Sequence, residues 1–288
     1  MTEYPSATPK SFTVHRLLCC DYQGNKVAII SEKGHIEWEF SAQAPQDCWY
    51  LENGNILFCH QTGAMEVTPA GKVTWKYEAP AEAQCHSCQP LANGHILIAE
   101  CGLGRLIEAD RNGRVAKEIN IASSPEIMGH QFRGTRKTDD GHYWTCLMDE
   151  KKIVELSSDG VLLREIPVNG WPHAVIKLAN GHLLVSLGSA GAVIEINEHL
   201  EIVWQITENE VIGNPLRLPA GLQRLPNGNT IVCNYLSGVS IGQQPQAFEV
   251  THDKCVVWEF TDHSKFKTIN QIYLLDLHLL AGKTPLLR

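Results

Sequence analysis

The chain has 288 residues, of which 43% are hydrophobic and 19% charged. That is an ordinary composition for a folded protein, long enough for one large domain or two small ones. A formal net charge of −8 gives no electrostatic ground for a nucleic-acid partner or an anionic membrane surface. Nothing approaches the run of roughly eighteen apolar residues that membrane insertion needs.

The first twelve residues, MTEYPSATPKSF, lack the apolar stretch of a secretory leader. A cytoplasmic location is therefore expected, with a secreted or periplasmic one as the alternative where a leader has been removed. Ten cysteines are many for this length. Cys19, Cys59, Cys146 and Cys233 fall inside apolar, strand-like runs, where reduced thiols act as small buried hydrophobes.

In chain order, three strands are expected first, over Phe12–Cys20, Lys26–Ser31 and Ile36–Phe40. A repeat follows. Five segments share an apolar residue, a variable one, Asn-Gly or Asp-Gly, and then an apolar run: LENGNILF (51–58), LANGHILI (91–98), TDDGHYWT (138–145), LANGHLLV (178–185) and LPNGNTIV (225–232). Asn-Gly between apolar runs marks a hairpin, and the tightest form has φ > 0 at both central residues. A second hairpin comes after each, as in VTPAGKVTW (67–75), LIEADRNGRV (106–115) and VIEINEHLEIVW (193–204). The turn glycines at 54, 94, 141, 181 and 228 are 40 or 47 residues apart.

Four short antiparallel strands in a unit of that length are one blade of a β-propeller. The units run over 41–79, 80–121, 122–168, 169–206 and 207–260. The three strands of 11–40 lack an innermost partner, and Thr268–Asp276 supplies it. The expected fold is thus all-β, a six-bladed β-propeller with four antiparallel strands per blade, closed by pairing of the N- and C-terminal segments. A single domain would span 1–288: the propeller over 11–276, an N-terminal arm over 1–10 and a C-terminal tail over 277–288.

In a propeller the first strand of each blade lines the central channel. Aligning the repeats places Gln46, His86, Arg133, His173, Ala220 and Asn270 at equivalent positions, five before the apolar residue of the turn. His130, with Gln131 beside it, competes for the channel position of the third repeat. Five polar groups around one axis make a site for a small polar or anionic ligand, including a saccharide. The expected ligand-binding set is Gln46, His86, His130, Arg133, His173 and Asn270. Trp49, Tyr50 and Trp171 stand near the strand starts and are candidates for stacking on a sugar. By contrast His95, His142 and His182 directly follow turn glycines, where other repeats carry Asn55 and Asn229. That interchange points to a role in the turn.

Cys85 and Cys88 have metal-ligand spacing, but no second pair completes four ligands. Three residues apart on a regular strand, they would project to opposite faces. No metal site is expected there.

The pattern Leu-x-Asn-Gly-Asn/His-Ile-Leu-Ile, then Ile-Glu-Ile/Ala-Asp/Asn, then Val-x-Trp-Glu-Phe resembles the arylsulfotransferase-type propellers, within the wider group of pyrroloquinoline-quinone-like repeat propellers. In that sulfotransferase family a channel histidine five residues before the turn takes up a sulfuryl group. His86 and His173 match the spacing, and Trp171-Pro-His-Ala-Val175 resembles the family's Asp-Trp-x-His-x-Asn, with Gly170 and Val175 at its two ends. The resemblance implies a histidine-based sulfuryl or phosphoryl transferase with His86 or His173 as nucleophile and Arg133 stabilising charge. The quinone-docking repeat is not reproduced, so no cofactor is expected. The other readings are a metal-dependent lyase or lactonase using His86, His130, His173 and Gln131, and a protein-interaction scaffold.

Overall fold

The computed structural model describes residues 14–121, 132–208, 210–211, 213 and 215–276. His130 and Gln131, the N-terminal arm and the C-terminal tail lie outside the described residues.

Among the described residues, twenty-four strands form six four-stranded antiparallel sheets. Blade I joins the two chain ends: β24 (Ile269–Leu274) is innermost, followed outward by β1 (Leu17–Asp21), β2 (Lys26–Ile30) and β3 (Ile36–Ser41). Blade II holds β4 (Asp47–Tyr50), β5 (Ile56–His60), β6 (Gly63–Val67) and β7 (Val73–Glu78). Blade III holds β8 (Cys85–Pro90), β9 (Ile96–Glu100), β10 (Arg105–Ala109) and β11 (Val115–Asn120). Blade IV comprises β12 (Phe132–Lys137), β13 (Tyr143–Leu147), β14 (Lys152–Leu156) and β15 (Leu162–Pro167). Blade V comprises β16 (Pro172–Lys177), β17 (Leu183–Leu187), β18 (Ala192–Ile196) and β19 (Ile202–Thr207). In blade VI are β20 (Pro219–Arg224), β21 (Thr230–Asn234), β22 (Ala247–Val250) and β23 (Val256–Phe260). Each inner strand packs against the next, β4 to β8 to β12 to β16 to β20 to β24 and back to β4, so the ring is closed.

The core lies between blades. Six apolar clusters each join two neighbouring blades; one sets Leu57 and Cys59 of blade II against Cys88 and Ile98 of blade III. The middle strands are therefore covered on both faces and read as continuous apolar runs, as in β9 and β17. Outermost strands alternate, as β7 does, because one edge of the blade meets water. Phe58, with no exposed surface, alone contributes roughly 1.5–3 kcal/mol of transfer free energy. Trp75 Nε1 donates across the blade boundary to the Asp110 carbonyl at 2.9 Å, and Trp204 Nε1 to that of His252 at 2.8 Å.

The turns differ from the primed form expected. Gly54, Gly94, Gly141, Gly181 and Gly228 have positive φ, but the Asn or Asp before each does not. Leu51 instead opens a type I turn, accepting from Gly54 N at 2.9 Å, and its own N–H reaches the Asn55 carbonyl. The glycine takes the left-handed position of a bulge. Asn is favoured before it because its side chain accepts the amide two residues on, as Asn53 does from Asn55 at 3.0 Å.

In four of the five repeats the residue after the turn glycine hydrogen-bonds a glutamate on the third strand of its blade. Asn55 Nδ2 meets Glu66 at 2.6 Å, His142 Nδ1 meets Glu155 at 2.9 Å, His182 Nδ1 meets Glu195 at 2.8 Å and Asn229 Nδ2 meets Glu249 at 2.5 Å. His95 lies 3.8 Å from Glu108. A cation then covers each carboxylate: Arg111, Lys137, Arg164, Arg224 and, in blade VI, His15. Asn and His interchange because either one puts a nitrogen on that carboxylate.

All ten cysteines are free and nine are buried. Cys85 and Cys88 are not on opposite faces of their strand. One extra residue, His86, sits between Cys85 and Ser87 in the ladder, which reverses the alternation, and both thiols enter the same interblade cluster.

Candidate functional site at the channel mouth

Irregularities in the inner strands build the mouth of the channel. Five of the six inner strands carry one residue more than their partner near the start of the strand or beside it. The surplus falls at His86 on β8, at Arg133–Gly134 on β12, at His173 on β16, at Ala220–Gly221 on β20 and at Asn270 on β24. A bulge takes a residue out of the ladder and re-aims its side chain. These are the positions that the repeat alignment singles out. Gln46, the sixth, directly precedes β4, and its amide still reaches the Cys59 carbonyl at 3.2 Å.

All six aligned residues line one cavity of about 430 Å³, within the size range of small-molecule sites. At Gly134 a Cβ would lie 2.8 Å from the His173 carbonyl oxygen, and at Gly221 it would lie 2.5 Å from that of Asn270. Only glycine lets neighbouring inner strands approach so closely. The hydroxyls of Ser87 and Ser186 accept the amides of Thr135 and Ala174, at 3.2 and 3.0 Å, and fix the strand backbones beside the bulges.

Arg133 is half-buried at the mouth. Its Nη1 donates to the Phe132 carbonyl at 3.2 Å and to Cys101 Sγ at 3.7 Å, and lies 3.3 Å from His86 Nε2. A guanidinium only donates, so His86 Nε2 accepts and the ring proton belongs on Nδ1. Burial draws the Arg133 pKa below the usual arginine range, against the opposing influence of Cys101, Tyr235 and Tyr22. Across the mouth, Asn270 Nδ2 donates to Gln46 Oε1 at 2.6 Å. Its Oδ1 is buried with no hydrogen-bond partner among the described residues.

Two features escaped sequence reading. Asp47 and Arg136 also line the cavity and pair at 2.9 Å. The carboxylate further accepts the amides of Cys48 at 3.0 Å and Cys88 at 3.3 Å, while the guanidinium lies over Trp49, 5.3 Å from the ring centroid. Arg136 is three residues beyond Arg133, a spacing that on a regular strand turns it away; the bulge in β12 brings both inward. The second feature is an aromatic wall. His173 stacks on Tyr235 with centroids 6.4 Å apart, and Tyr235 meets Tyr22 edge-on at 5.7 Å. Burial and the neighbouring Tyr22 push the Tyr235 hydroxyl up to about 12, against the pull of Arg133.

Of the expected stacking residues, only Trp171 lines this cavity. Trp49 donates instead to the Cys88 carbonyl at 2.6 Å, and Tyr50 packs between blades I and II. Among the described residues, no group of three or more His, Cys, Asp or Glu side chains is placed to hold a metal ion.

No protein-family model and no curated protein matches the sequence. Solved structures do match. A protein of unknown function from Bacteroides caccae superposes with a TM-score of 0.82 at 29% identity, over 90% of this chain and 98% of that one. A catalytically inactive histidine-to-alanine variant of virginiamycin B lyase from Staphylococcus aureus, crystallised with quinupristin, gives 0.62 at 14% identity over 88% and 86%. A streptogramin B lyase gives 0.58 at 17% over 73% and 70%. The chain is thus a six-bladed antiparallel β-propeller closed by pairing of its terminal strands, structurally related to the streptogramin and virginiamycin B lyases through that fold.

Proposed function

We propose that the protein binds a small anionic, hydroxyl-bearing ligand at the mouth of its channel. The observation that carries this reading is the set of bulges, which turn polar residues of separate blades toward one cavity. A regular ladder would be the simpler way to build a channel wall, and departures of this kind recur next to functional sites. Arg133 brings a guanidinium to the lining, a donor that suits anionic and hydroxyl oxygens. Thermal unfolding of the protein with a panel of carboxylates, sulfate and phosphate esters and neutral sugars tests the reading. Anionic, hydroxylated compounds are expected to raise the midpoint, and Arg133→Leu to abolish the shift. No stabilisation by any compound of the panel would refute it.

The approach of His86 Nε2 to Arg133 supports a second reading, the transferase. An incoming sulfate or phosphate ester would draw the guanidinium onto its oxygens and release the Nε2 lone pair. Nε2 would then bond to sulfur or phosphorus as the ester S–O or P–O bond breaks, the departing oxyanion would take a proton from water, and a water or an acceptor hydroxyl would then break the N–S or N–P bond and restore the imidazole. Turnover of 4-nitrophenyl sulfate or phosphate, lost in His86→Ala, is the expected result. An inactive wild-type protein overturns this reading and leaves ligand binding intact.

A further inference from the structure

Resting on ligand binding at the channel mouth, as proposed above, we infer that the ligand carries its hydroxyls on a pyranose ring and that Asn270 accepts one of them. Two opposed arcs of the lining and one buried oxygen support this. In the closed ring of inner strands, blade II stands opposite blade V and blade III opposite blade VI. Five carboxamides line the cavity on or beside the strands of blades I to III: Gln46, Gln61, Gln84, Asn270 and Gln271. Trp171, His173, Leu218 and Tyr235 face them from blades V and VI.

Blade I holds the buried oxygen. Asn270 and Gln271 are consecutive residues of β24, which on a regular strand would point to opposite faces. The bulge opposite Cys20 and Asp21 lets both line the cavity, and they are 7% and 5% exposed. A Cβ at Gly221 would collide with Gln271 Oε1, so this carboxamide lies in space that only glycine leaves. Asn270 Nδ2 donates to the Gln46 backbone carbonyl at 3.0 Å and to Gln46 Oε1 at 2.6 Å. A backbone carbonyl only accepts, which fixes the orientation of the amide and turns Oδ1 the other way. That Oδ1 has no hydrogen-bond partner among the described residues, and a buried acceptor calls for a donor. A hydroxyl donates; a carboxylate or sulfate oxygen does not. With its Oε1 engaged, Gln46 keeps Nε2 to donate. The bonded pair of amides thus offers one acceptor and one donor, the complement of a hydroxyl, which does both.

The opposite arc is flat. His173 and Tyr235 stack with an interplanar angle of 26°, and Tyr22 meets Tyr235 edge-on. The face of an aromatic ring carries the negative part of its quadrupole and attracts the slightly positive axial C–H bonds of a sugar. A pyranose has those bonds on its face and its hydroxyls around the rim, so it meets both arcs at once. An open-chain polyol has the hydroxyls but no face, and gives up its internal rotations to line up with the carboxamides. A planar aromatic ligand has the face but too few hydroxyls for five carboxamides.

Calorimetric titration of the full chain with matched ring and open-chain probes tests the inference: D-galacturonate against D-galactonate, D-glucuronate against D-gluconate, and D-galactose against galactitol. 4-Hydroxybenzoate serves as the planar anion. Charge is equal within each pair. At least one ring form is expected to bind about 10-fold or more tighter than its open-chain counterpart. Asn270→Ala should weaken the preferred ring compound by about 10- to 100-fold. One monodeoxy analogue of that compound should lose as much with the wild type and nothing further with Asn270→Ala, where the partner oxygen is already gone. Should Asn270→Ala fail to fold, the near-isosteric Asn270→Leu takes its place. Deoxy losses that are the same in both proteins at every position overturn the role of Asn270. Open-chain acids that match or exceed the uronates, or tighter binding of 4-hydroxybenzoate than of every pyranose, overturn the pyranose assignment and leave the anion-binding reading standing. Binding of galactose without any anion overturns that reading and not this one. Binding of no probe removes both.

Discussion

His15 lies where the ring closes, and it titrates. It is 5% exposed and bridges the two ends of the chain: Nε2 sits 2.7 Å from Glu249 of β22, and Nδ1 sits 2.9 Å from Asp276, just beyond β24. Its ring also meets Trp258 edge-on at 4.9 Å. Burial pulls its pKa down, but the hydrogen bonds and charges of Asp276 and Glu249 outweigh burial and raise it from 6.5 to about 9. That separation is worth about 3 kcal/mol. Because the folded value is the higher one, the contribution is fully present below about pH 6.5. It falls to about 2 kcal/mol at pH 7.5 and is gone above about pH 9. Denaturant unfolding of the wild type and His15→Gln from pH 6 to pH 9 measures it. The stability difference should shrink steadily with rising pH. Taking the difference isolates His15 from the buried thiols, which weaken both proteins as unfolded cysteines ionise above about pH 8.5. A difference that stays constant across this range would refute the linkage.

Two further outcomes follow from burial. Arg136→Leu leaves the carboxylate of Asp47, itself 3% exposed, without its cation, and should destabilise the protein by about 3–5 kcal/mol. The double variant Arg136→Leu/Asp47→Asn should recover most of that loss in the same unfolding assay; if it does not, the pairing is not the cause. A thiol reagent should label Cys255 rapidly in the native protein and all ten cysteines once it is denatured. Fast labelling of Cys85 or Cys88 in the native state would contradict their place between blades II and III.

What could be read from the sequence was whatever repeats. Turn glycines at near-constant spacing set the blades, and aligning them by that spacing picked six residues that line one cavity. His142 and His182 were legible as turn residues because Asn replaces them elsewhere and the glutamate they bind recurs. What stayed hidden depends on single insertions in a ladder. The bulge at His86 reverses the side-chain parity behind it, so the opposite-face expectation for Cys85 and Cys88 failed. The bulge in β12 does the same for Arg136, whose partner Asp47 lies two blades away. Tyr22 and Tyr235 stand in connections beyond the second strands of blades I and VI, remote in the chain and brought together only by ring closure.

The closure also determines how the molecule would respond to pulling. Leu17 pairs with Leu274 in the β1–β24 ladder, and the Leu275 amide donates to the Arg16 carbonyl at 2.7 Å. The two chain ends therefore leave the sheet side by side. Tension applied between them loads these bonds one at a time, like a zipper, and not all together in shear. His15 and Asp276 sit at the fork, so the first resistance to force comes from a pair whose attraction depends on a proton.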